Sequence, residues 1–262
     1  MKTYLAALFF LVSINISYGQ KSSDLAIFHS TSFGGLDTLS HKTEPEHSEK
    51  IVEKNIPVKG IRVPFNARPL IVPAALISYG FIALNNDKLR QLDWTTKNAI
   101  NKHDNDFKSS IDNYTQYAPT ALVYALNAVG VKGKNNFVDR SIMYGMTCMV
   151  TASVVCSLKP IAGVKRPDGS APNSFPSGHT TTAFAAAEFL HQEFKHKSIW
   201  YSIAGYTAAT TTGVLRMYNN RHFLSDVVCG AGLGILSTKL VYMVYPAIKR
   251  KLSKRKSNIE LL

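Results

Sequence analysis

Three short motifs in the second half of the sequence contain the side chains most able to do chemistry. In chain order they are Lys159 with Arg166-Pro167, then Pro176-Ser177-Gly178-His179, then Arg216 with His222 and Asp226. Together they supply three cations, two histidines, a carboxylate and a turn at the start of a predicted helix. This set of groups can hold a phosphate and transfer it without a metal.

The first motif supplies two positive charges. Pro160 disfavours helical geometry at the residue before it, so Lys159 is predicted to end an apolar helix. Arg166 also precedes a proline and is expected to be extended. A guanidinium can bind two phosphate oxygens at once, whereas an ammonium is a compact point charge.

The second motif predicts a helix N-terminus. Ser177 is expected to be the N-cap of a helix that begins in the Thr- and Ala-rich run 180–187, and Gly178 lets the backbone approach a ligand closely. Free N–H groups at a helix start favour an anion, and His179 would lie beside that anion. Taken alone, these residues indicate ordinary capping more often than catalysis.

The third motif predicts an imidazole–carboxylate pair. His222 and Asp226 are four residues apart, so on a helix they would share a face and form a hydrogen bond. The carboxylate would fix the tautomer of the imidazole and leave its other nitrogen free to attack. Arg216, expected in the preceding loop, adds a third cation. Asp226 opens an apolar run, where an unpaired carboxylate would be costly.

Apolar runs separated by charged loops fill the chain from Pro69 onward. The runs are 69–85, 118–131, 141–158, 180–190, 198–215 and 224–248. Alternating β-branched residues and hairpin turn pairs are scarce, so the fold class is predicted to be all-α, a membrane-embedded bundle of about five to six helices. The runs 141–158 and 198–215 are charge-free over about the length of a spanning helix.

Two other stretches do not have the pattern of a complete spanning helix. Run 69–85 contains Pro73 and is predicted not to span the membrane fully. Phe107, Ile111, Tyr114 and Ala118 recur at helical spacing, which predicts either an amphipathic helix at a membrane surface or an ordinary surface helix.

The ends of the chain and its composition limit the function further. Residues 1–19 are predicted to be a signal peptide (or an uncleaved anchor), 20–68 a polar exposed lead-in, 69–248 the helical domain and 249–262 a basic cytoplasmic tail. The net charge is +13, but basic and aromatic residues are not interleaved, so no nucleic-acid partner is expected. The three cysteines lie in apolar segments and indicate neither disulfides nor a metal site.

In this order and spacing, the motifs resemble the type-2 phosphatidic acid phosphatase family, which also contains bacterial acid phosphatases and vanadium haloperoxidases. The resemblance covers roughly 118–245 and is to the lipid phosphatase branch. One departure is Leu215, because the family often has serine immediately before the arginine of the third motif. The loss of that hydroxyl would weaken one phosphate contact at most.

The resemblance implies a role for each motif residue. His222 would be the nucleophile that forms a phosphohistidine, Asp226 would orient it, and His179 would protonate the leaving alcohol and later activate water. The residues that would bind phosphate are Lys159, Arg166, Ser177, Gly178 and Arg216. The family hydrolyses its substrates without a metal or other cofactor, so none is expected here.

The distribution of basic residues predicts how the chain is oriented. Lys132, Lys134 and Arg140, the segment 191–197 and the basic tail fall in loops expected to face the cytoplasm. The site loops would then face the periplasm from the bacterial inner membrane. The expected partners are the lipid bilayer and a phosphorylated membrane lipid: phosphatidate, phosphatidylglycerophosphate, undecaprenyl pyrophosphate or lipid A.

Three alternative functions fit the same residues. The first is a soluble periplasmic acid phosphatase of the same fold, since few apolar runs reach the length needed to cross a bilayer. The second is a vanadate-dependent haloperoxidase, because groups that bind phosphate also bind vanadate. The third is a catalytically silent protein that binds phosphorylated lipids. The sequence carries no indication of the oligomeric state.

Overall fold

The computed structural model describes residues 67–102 and 107–259, which contain eight α-helices and no β-strand. A 3-10 turn, Arg68–Leu70, precedes them. The helices are α1 (Ile71–Ala83), α2 (Asp87–Asn101), α3 (Asp112–Thr115), α4 (Ala118–Ala128), α5 (Phe137–Ala162), α6 (Gly178–Phe194), α7 (Ile199–Tyr218) and α8 (Leu224–Ile259). The predicted all-α class is confirmed. The predicted signal segment 1–19 and all but the end of the lead-in 20–68 lie outside the described residues.

Four of the helices begin at a side chain that accepts a backbone N–H. Asn86, Asn136, Ser177 and Ser198 cap α2, α5, α6 and α7 in this way. A short polar side chain at this position satisfies a donor that the first turn leaves free. The N-cap predicted at Ser177 is therefore confirmed.

Helix α6 lies at the centre of the bundle and packs most extensively on α7 and α8. Its alanines and aromatic residues are buried, including Ala183, Ala187, Phe189 and Phe194. Helices α4 and α5 cover its remaining sides. Because α6 begins at the second motif, this packing fixes one part of the candidate site to the core.

Two helices are long and apolar enough to cross a membrane, α5 and the part of α8 from Leu224 to Ser253, in the portion of the chain that the structure describes. Helices α1 and α2 form a pair bent by 94° that would make a third span if taken together. With 13 residues, α1 alone is about 20 Å long, shorter than the ~30 Å apolar core of a bilayer.

The structure corrects two expectations about helix boundaries and spans. The run 198–215 does form a helix, α7, but its four threonines and Ser202 make it too polar to count among the spans. Helix α5 passes through Pro160, where the sequence predicted its end, and ends at Ala162, with Gly163 at a φ of 57° as its C-cap. Tertiary packing of Leu158 holds this last turn despite the proline.

The helical face predicted from Phe107 to Ala118 does not exist as a single helix. Residues 107–110 are not helical, α3 is one turn long, and α4 begins only at Ala118. Side-chain contacts with α7 take the place of regular helix here, as described for the site below.

A polar cluster lies at the end of the bundle where α5 begins and α6 ends. Arg140 is buried there and forms an ion pair with Glu193 at 3.1 Å, so it is not the exposed loop charge that the sequence predicted. Lys249 of α8 reaches Asp139 of α5 at the same end. The basic residues after Lys249 therefore leave the bundle near the start of α5.

We predict that Gly234→Ala destabilises the bundle. A Cβ on Gly234 would overlap the carbonyl oxygen of Thr181 and lie 2.7 Å from the backbone nitrogen of Ala185, so α6 and α8 would have to separate. Overpacking of this kind costs about 1–3 kcal/mol, which should lower the melting temperature of the purified protein by several degrees.

Gly145→Ala is the matched control for that variant. Gly145 also lies within a helix, but a Cβ there would meet nothing within 4 Å. Its melting temperature should be unchanged or higher, because alanine is the better helix former by roughly 0.5–1 kcal/mol. Equal melting temperatures for both variants would show that close packing at Gly234 does not stabilise the fold.

Candidate active site

The three motifs meet at one end of the bundle. Lys159 is in the last turn of α5, the loop 163–177 carries Arg166, and α6 begins at the second motif. Arg216 lies near the end of α7, where the sequence had predicted a loop. Asp226 lies in the first turn of α8. The structure therefore brings all eight predicted site residues to the same end.

His222 and Asp226 are paired, although not in the way the spacing predicted. His222 lies two residues before α8 rather than on it, and its Nδ1 is 3.5 Å from Asp226 Oδ2. Asp226 Oδ2 also accepts the backbone N–H of Phe223 at 2.9 Å. The carboxylate thus holds both the turn before the helix and the imidazole.

Ser174 is a third member of this group that the sequence analysis missed. Its hydroxyl donates to Asp226 Oδ2 at 2.5 Å and lies 3.4 Å from His222 Nδ1. The backbone N–H of Ser177 donates to the backbone oxygen of Asp226 at 3.1 Å. These contacts join the loop before α6 to the start of α8.

The environment of His222 favours the neutral imidazole. Its side chain is only 2% exposed. Burial lowers the pKa of His222, and the hydrogen bond and charge of Asp226 oppose that shift without cancelling it. With Nδ1 facing Asp226 and Ser174, Nε2 of a neutral ring is the nitrogen left for nucleophilic attack.

Lys159 and Arg166 meet at a residue that no motif contains, Asn173. Lys159 Nζ donates to the backbone oxygen of Asn173 at 2.5 Å, and Arg166 Nε donates to its side-chain oxygen at 2.8 Å. Arg166 lies in the loop between α5 and α6, where its backbone oxygen accepts the N–H of Gly169. Burial and then the charge of Arg216 lower the pKa of Arg166, which indicates that the cations lie close together.

Arg216 is buried and paired with an acid from outside the motifs. Its Nη1 donates to Asp112 Oδ2 at 2.6 Å. Its Nε is buried and has no hydrogen-bond partner among the described residues. A donor left unpaired at this depth is costly unless a ligand accepts it, so this nitrogen is suited to an anion.

The second motif forms the start of α6. Ser177 is fully buried; its Oγ accepts the N–H of Thr180 at 3.4 Å and lies 2.8 Å from the Thr180 hydroxyl. Its side chain therefore caps the helix, and the first free N–H groups, including that of Gly178, are what this turn offers an anion.

His179 lies in the first turn of α6, half-buried. Its Nε2 is 2.8 Å from Asn113 Oδ1. Burial, followed by the charge of Arg216, lowers the pKa of His179 to about 4. The ring is therefore neutral at pH 7 until a negative charge is placed beside it, as a bound phosphate would do.

Two residues next to the motifs lie away from these groups. Arg221 forms an exposed ion pair with Asp168 at 3.0 Å and so connects the two site loops at the surface. Leu215 lines an apolar groove on α7 together with Phe107 and Tyr218. A serine at 215 would line the same groove.

The residues that sequence reasoning missed are Asp112, Asn113, Asn173 and Ser174. Asn173 and Ser174 have a local signal, since they directly precede Phe175-Pro176 in a loop that already contains one motif. Asp112 and Asn113 have none, because they lie far from the motifs in sequence. No three His, Cys, Asp or Glu side chains form a possible metal site in the described ranges.

Comparison with known proteins finds sequence similarity over the part of the chain that carries the three motifs. The sequence model of the PAP2 superfamily matches residues 141–250. The chain is similar to a lipid A 1-phosphatase of Porphyromonas gingivalis, with 38% identity over 183 residues, 69% of this chain and 38% of that protein. It is also similar to phosphatidylglycerophosphatase B of Bacillus subtilis, with 42% identity over 85 residues, 29% of this chain and 41% of that protein.

One solved structure is also similar, that of a transmembrane PAP2-type phosphatidylglycerolphosphate phosphatase from Bacillus subtilis. It is 23% identical with a TM-score of 0.45, over 68% of this chain and 98% of that one. The chain spans about two fifths of the length of the two curated relatives described above. The superfamily match and the identity to these relatives lead to the same conclusion: residues 141–250 of the chain match the PAP2 superfamily.

Proposed function

We propose that this chain is a metal-independent phosphatase that hydrolyses a phosphate monoester or pyrophosphate of a membrane lipid. The observation that carries the proposal is a cleft of about 360 Å³ that begins at Gly178 and His179 and runs between α5 and α6. The candidate phosphate site therefore opens sideways, along a helix apolar enough to span a membrane.

The lining of this cleft suits an acyl chain. Beyond His179 it consists mainly of small and apolar side chains on α5 and α6, with aromatic residues beside them: Tyr117, Tyr144, Cys148, Ala152, Val155, Cys156 and Ala185. Cys148 and Cys156 are exposed on α5, so this wall would face lipid if α5 crosses the bilayer. A soluble phosphate ester has no need of such a cleft.

The names of the relatives support the same substrate class. One is a lipid A 1-phosphatase and the other a phosphatidylglycerophosphatase. Lipid A and phosphatidylglycerophosphate are therefore the first substrates to test, followed by phosphatidate and undecaprenyl pyrophosphate.

The geometry supports a two-step reaction. Neutral His222 would attack phosphorus through Nε2, the bond from phosphorus to the lipid oxygen would break, and His179 would give its proton to that oxygen. Asp226 and Ser174 would stabilise the positive imidazole formed. Water, deprotonated by His179, would then break the phosphorus–nitrogen bond and release inorganic phosphate.

The cations account for how the transferred group would be held. Lys159, Arg166 and Arg216 would neutralise charge on the phosphate oxygens as the transition state forms, with help from the start of α6. Phosphate bound near His179 would raise the pKa of this imidazole above about 4, so that it could hold the proton that the leaving alcohol needs.

The arrangement of charge supports a site that faces the periplasm from the inner membrane. Helix α5 begins beside Lys134 and ends at the candidate site, and α6 returns to the basic end, where the N–H of Lys134 donates to the backbone oxygen of Glu193. The basic stretch after Lys249 leaves the bundle at that end too. With that end in the cytoplasm, the site would lie on the opposite side.

We predict that His222→Ala abolishes phosphate release while Leu215→Ser retains it. The first variant removes the nucleophile, whereas the second changes a side chain that lines the outer groove of α7. The measurement is phosphate release by detergent-purified protein in EDTA, from the four lipids and from phenyl phosphate. Full hydrolysis by His222→Ala would overturn the nucleophile assignment.

That substrate panel also separates the alternative functions. Greater release from phenyl phosphate than from any lipid would favour a soluble acid phosphatase. Loss of release in EDTA would overturn metal independence. Vanadate-dependent halide oxidation without phosphate release would identify a haloperoxidase instead.

We predict that Ala152→Trp selectively impairs turnover of lipids. An indole at this position would fill the cleft between α5 and α6 beyond His179. The value of kcat/KM should fall at least tenfold for the lipid substrate, a loss of about 1.4 kcal/mol, and change little for phenyl phosphate. Met149→Trp, on an exposed part of α5 outside the cleft, is the control. An equal effect on both substrates would argue against the cleft as the acyl site.

We predict that Ser174→Ala lowers kcat more than it raises KM. The change removes a donor from Asp226 Oδ2, whose neighbour Oδ1 already has no partner among the described residues. Removing a hydrogen-bond donor from a buried carboxylate costs about 1–3 kcal/mol. If the transition state is destabilised by that amount, the rate falls roughly five- to 150-fold. The test is to measure kcat and KM of Ser174→Ala, after confirming that its melting temperature equals that of the unaltered protein. An unchanged kcat would contradict the prediction.

A further inference from the structure

A one-turn helix outside the three motifs contacts two of their side chains. On α3, Asp112 accepts a hydrogen bond from Arg216 at 2.6 Å, and Asn113 Oδ1 lies 2.8 Å from His179 Nε2. We propose that Asp112 and Asn113 are positioning residues that hold Arg216 and His179 in place for phosphoryl transfer. This inference rests on the function proposed above.

The segment around α3 is attached to α7 at several points. Ser109 and Asn219 exchange hydrogen bonds of 2.8 Å in both directions, and Thr115 Oγ1 lies 2.9 Å from Thr212 Oγ1. The rings of Phe107 and Tyr218 pack edge to face. Because it is fixed to α7, α3 can hold Asp112 and Asn113 at constant distances from the site.

Asp112 orients Arg216 but does not occupy all of the N–H donors of the guanidinium. Its carboxylate is buried, accepts Nη1 of Arg216, and accepts Asn219 Nδ2 at 3.2 Å. Arg216 Nε stays unpaired among the described residues. The ion pair therefore fixes the plane of the guanidinium and leaves donors for a phosphate, which is how a bidentate contact is pre-organised.

Asn113 orients His179 without changing its charge. If Asn113 Oδ1 accepts the Nε2 proton, the ring orientation and tautomer of His179 are set by a neutral partner. Charged or titratable groups that act on His179 are Arg216 from α7, Asp112 from α3, His222 before α8 and Arg166 from the loop. Asp112 is the one among these that raises the pKa of His179.

Two nearly isosteric variants should move the pH dependence in opposite directions. Asp112→Asn removes the negative charge that favours protonated His179, so the pKa of His179 should fall. The alkaline limb of the pH profile, where kcat decreases as His179 loses its proton, should then move to lower pH. Asn113→Asp places a carboxylate on Nε2, so the limb should move to higher pH. Each shift should be on the order of one pH unit, as expected for one charge at this distance.

The experiment measures kcat against pH for phenyl phosphate, whose leaving group needs a proton. A second readout is an NMR titration of histidine-labelled protein, with the His179 signal assigned by His179→Gln. Asp87→Asn and Asn98→Asp are matched controls, since both residues are exposed on α2. Neither control should move the limb or the His179 signal.

Opposite shifts of the two variants would support the proposal, because general destabilisation would not produce shifts of opposite sign. The inference would be overturned if neither variant moved the alkaline limb or the His179 signal while His222→Ala still abolished activity. That result would leave the proposed function intact. Activity in His222→Ala would instead overturn the proposed function. If Asp112→Asn does not fold, the exposed Asn113→Asp decides the outcome alone.

Discussion

The buried carboxylate of Asp226 is the interaction on which the site depends. Its Oδ2 accepts hydrogen bonds from the Ser174 hydroxyl and the N–H of Phe223, and it lies 3.5 Å from Nδ1 of His222. Its backbone oxygen accepts the N–H of Ser177. Burying a carboxylate this deeply is costly unless donors bind it, and here they gather on Oδ2, since Oδ1 has no partner among the described residues. Satisfying it therefore draws the loop before α6 and the loop before α8 to the same point, and the cations come with them.

Close packing of α6 on α8 allows those loops to meet. A Cβ on Gly230 would lie 2.8 Å from the backbone oxygen of Ser177, and one on Gly234 would overlap the α6 backbone. Glycine at both positions lets the helices approach until backbone meets backbone, as small residues do in membrane bundles. The geometry of the site thus depends on packing several turns along the same helices.

Buried charged side chains have different partners at the two ends of the bundle. At the basic end Arg140 is matched by Glu193, and Lys239 by Glu188, so the buried charges there are compensated. At the site end Arg216 is paired with Asp112, but Lys159 and Arg166 bind the neutral Asn173. Lys159 and Arg166 are therefore two neighbouring cations held by a neutral residue, and a bound anion would offset their charge. This is a physical reason to place the substrate phosphate at that end.

The sequence by itself determined the helical class, the cap at Ser177 and the partnership of His222 with Asp226, because each depends on residues a few positions apart. Local rules failed at Pro160 and Arg140, where packing of α5 outweighs a proline penalty and buries a predicted surface charge. Only the tertiary structure placed Asp112 on Arg216 and Asn113 on His179. These pairs are 104 and 66 residues apart, and no local pattern encodes a contact that arises from docking one short helix onto another.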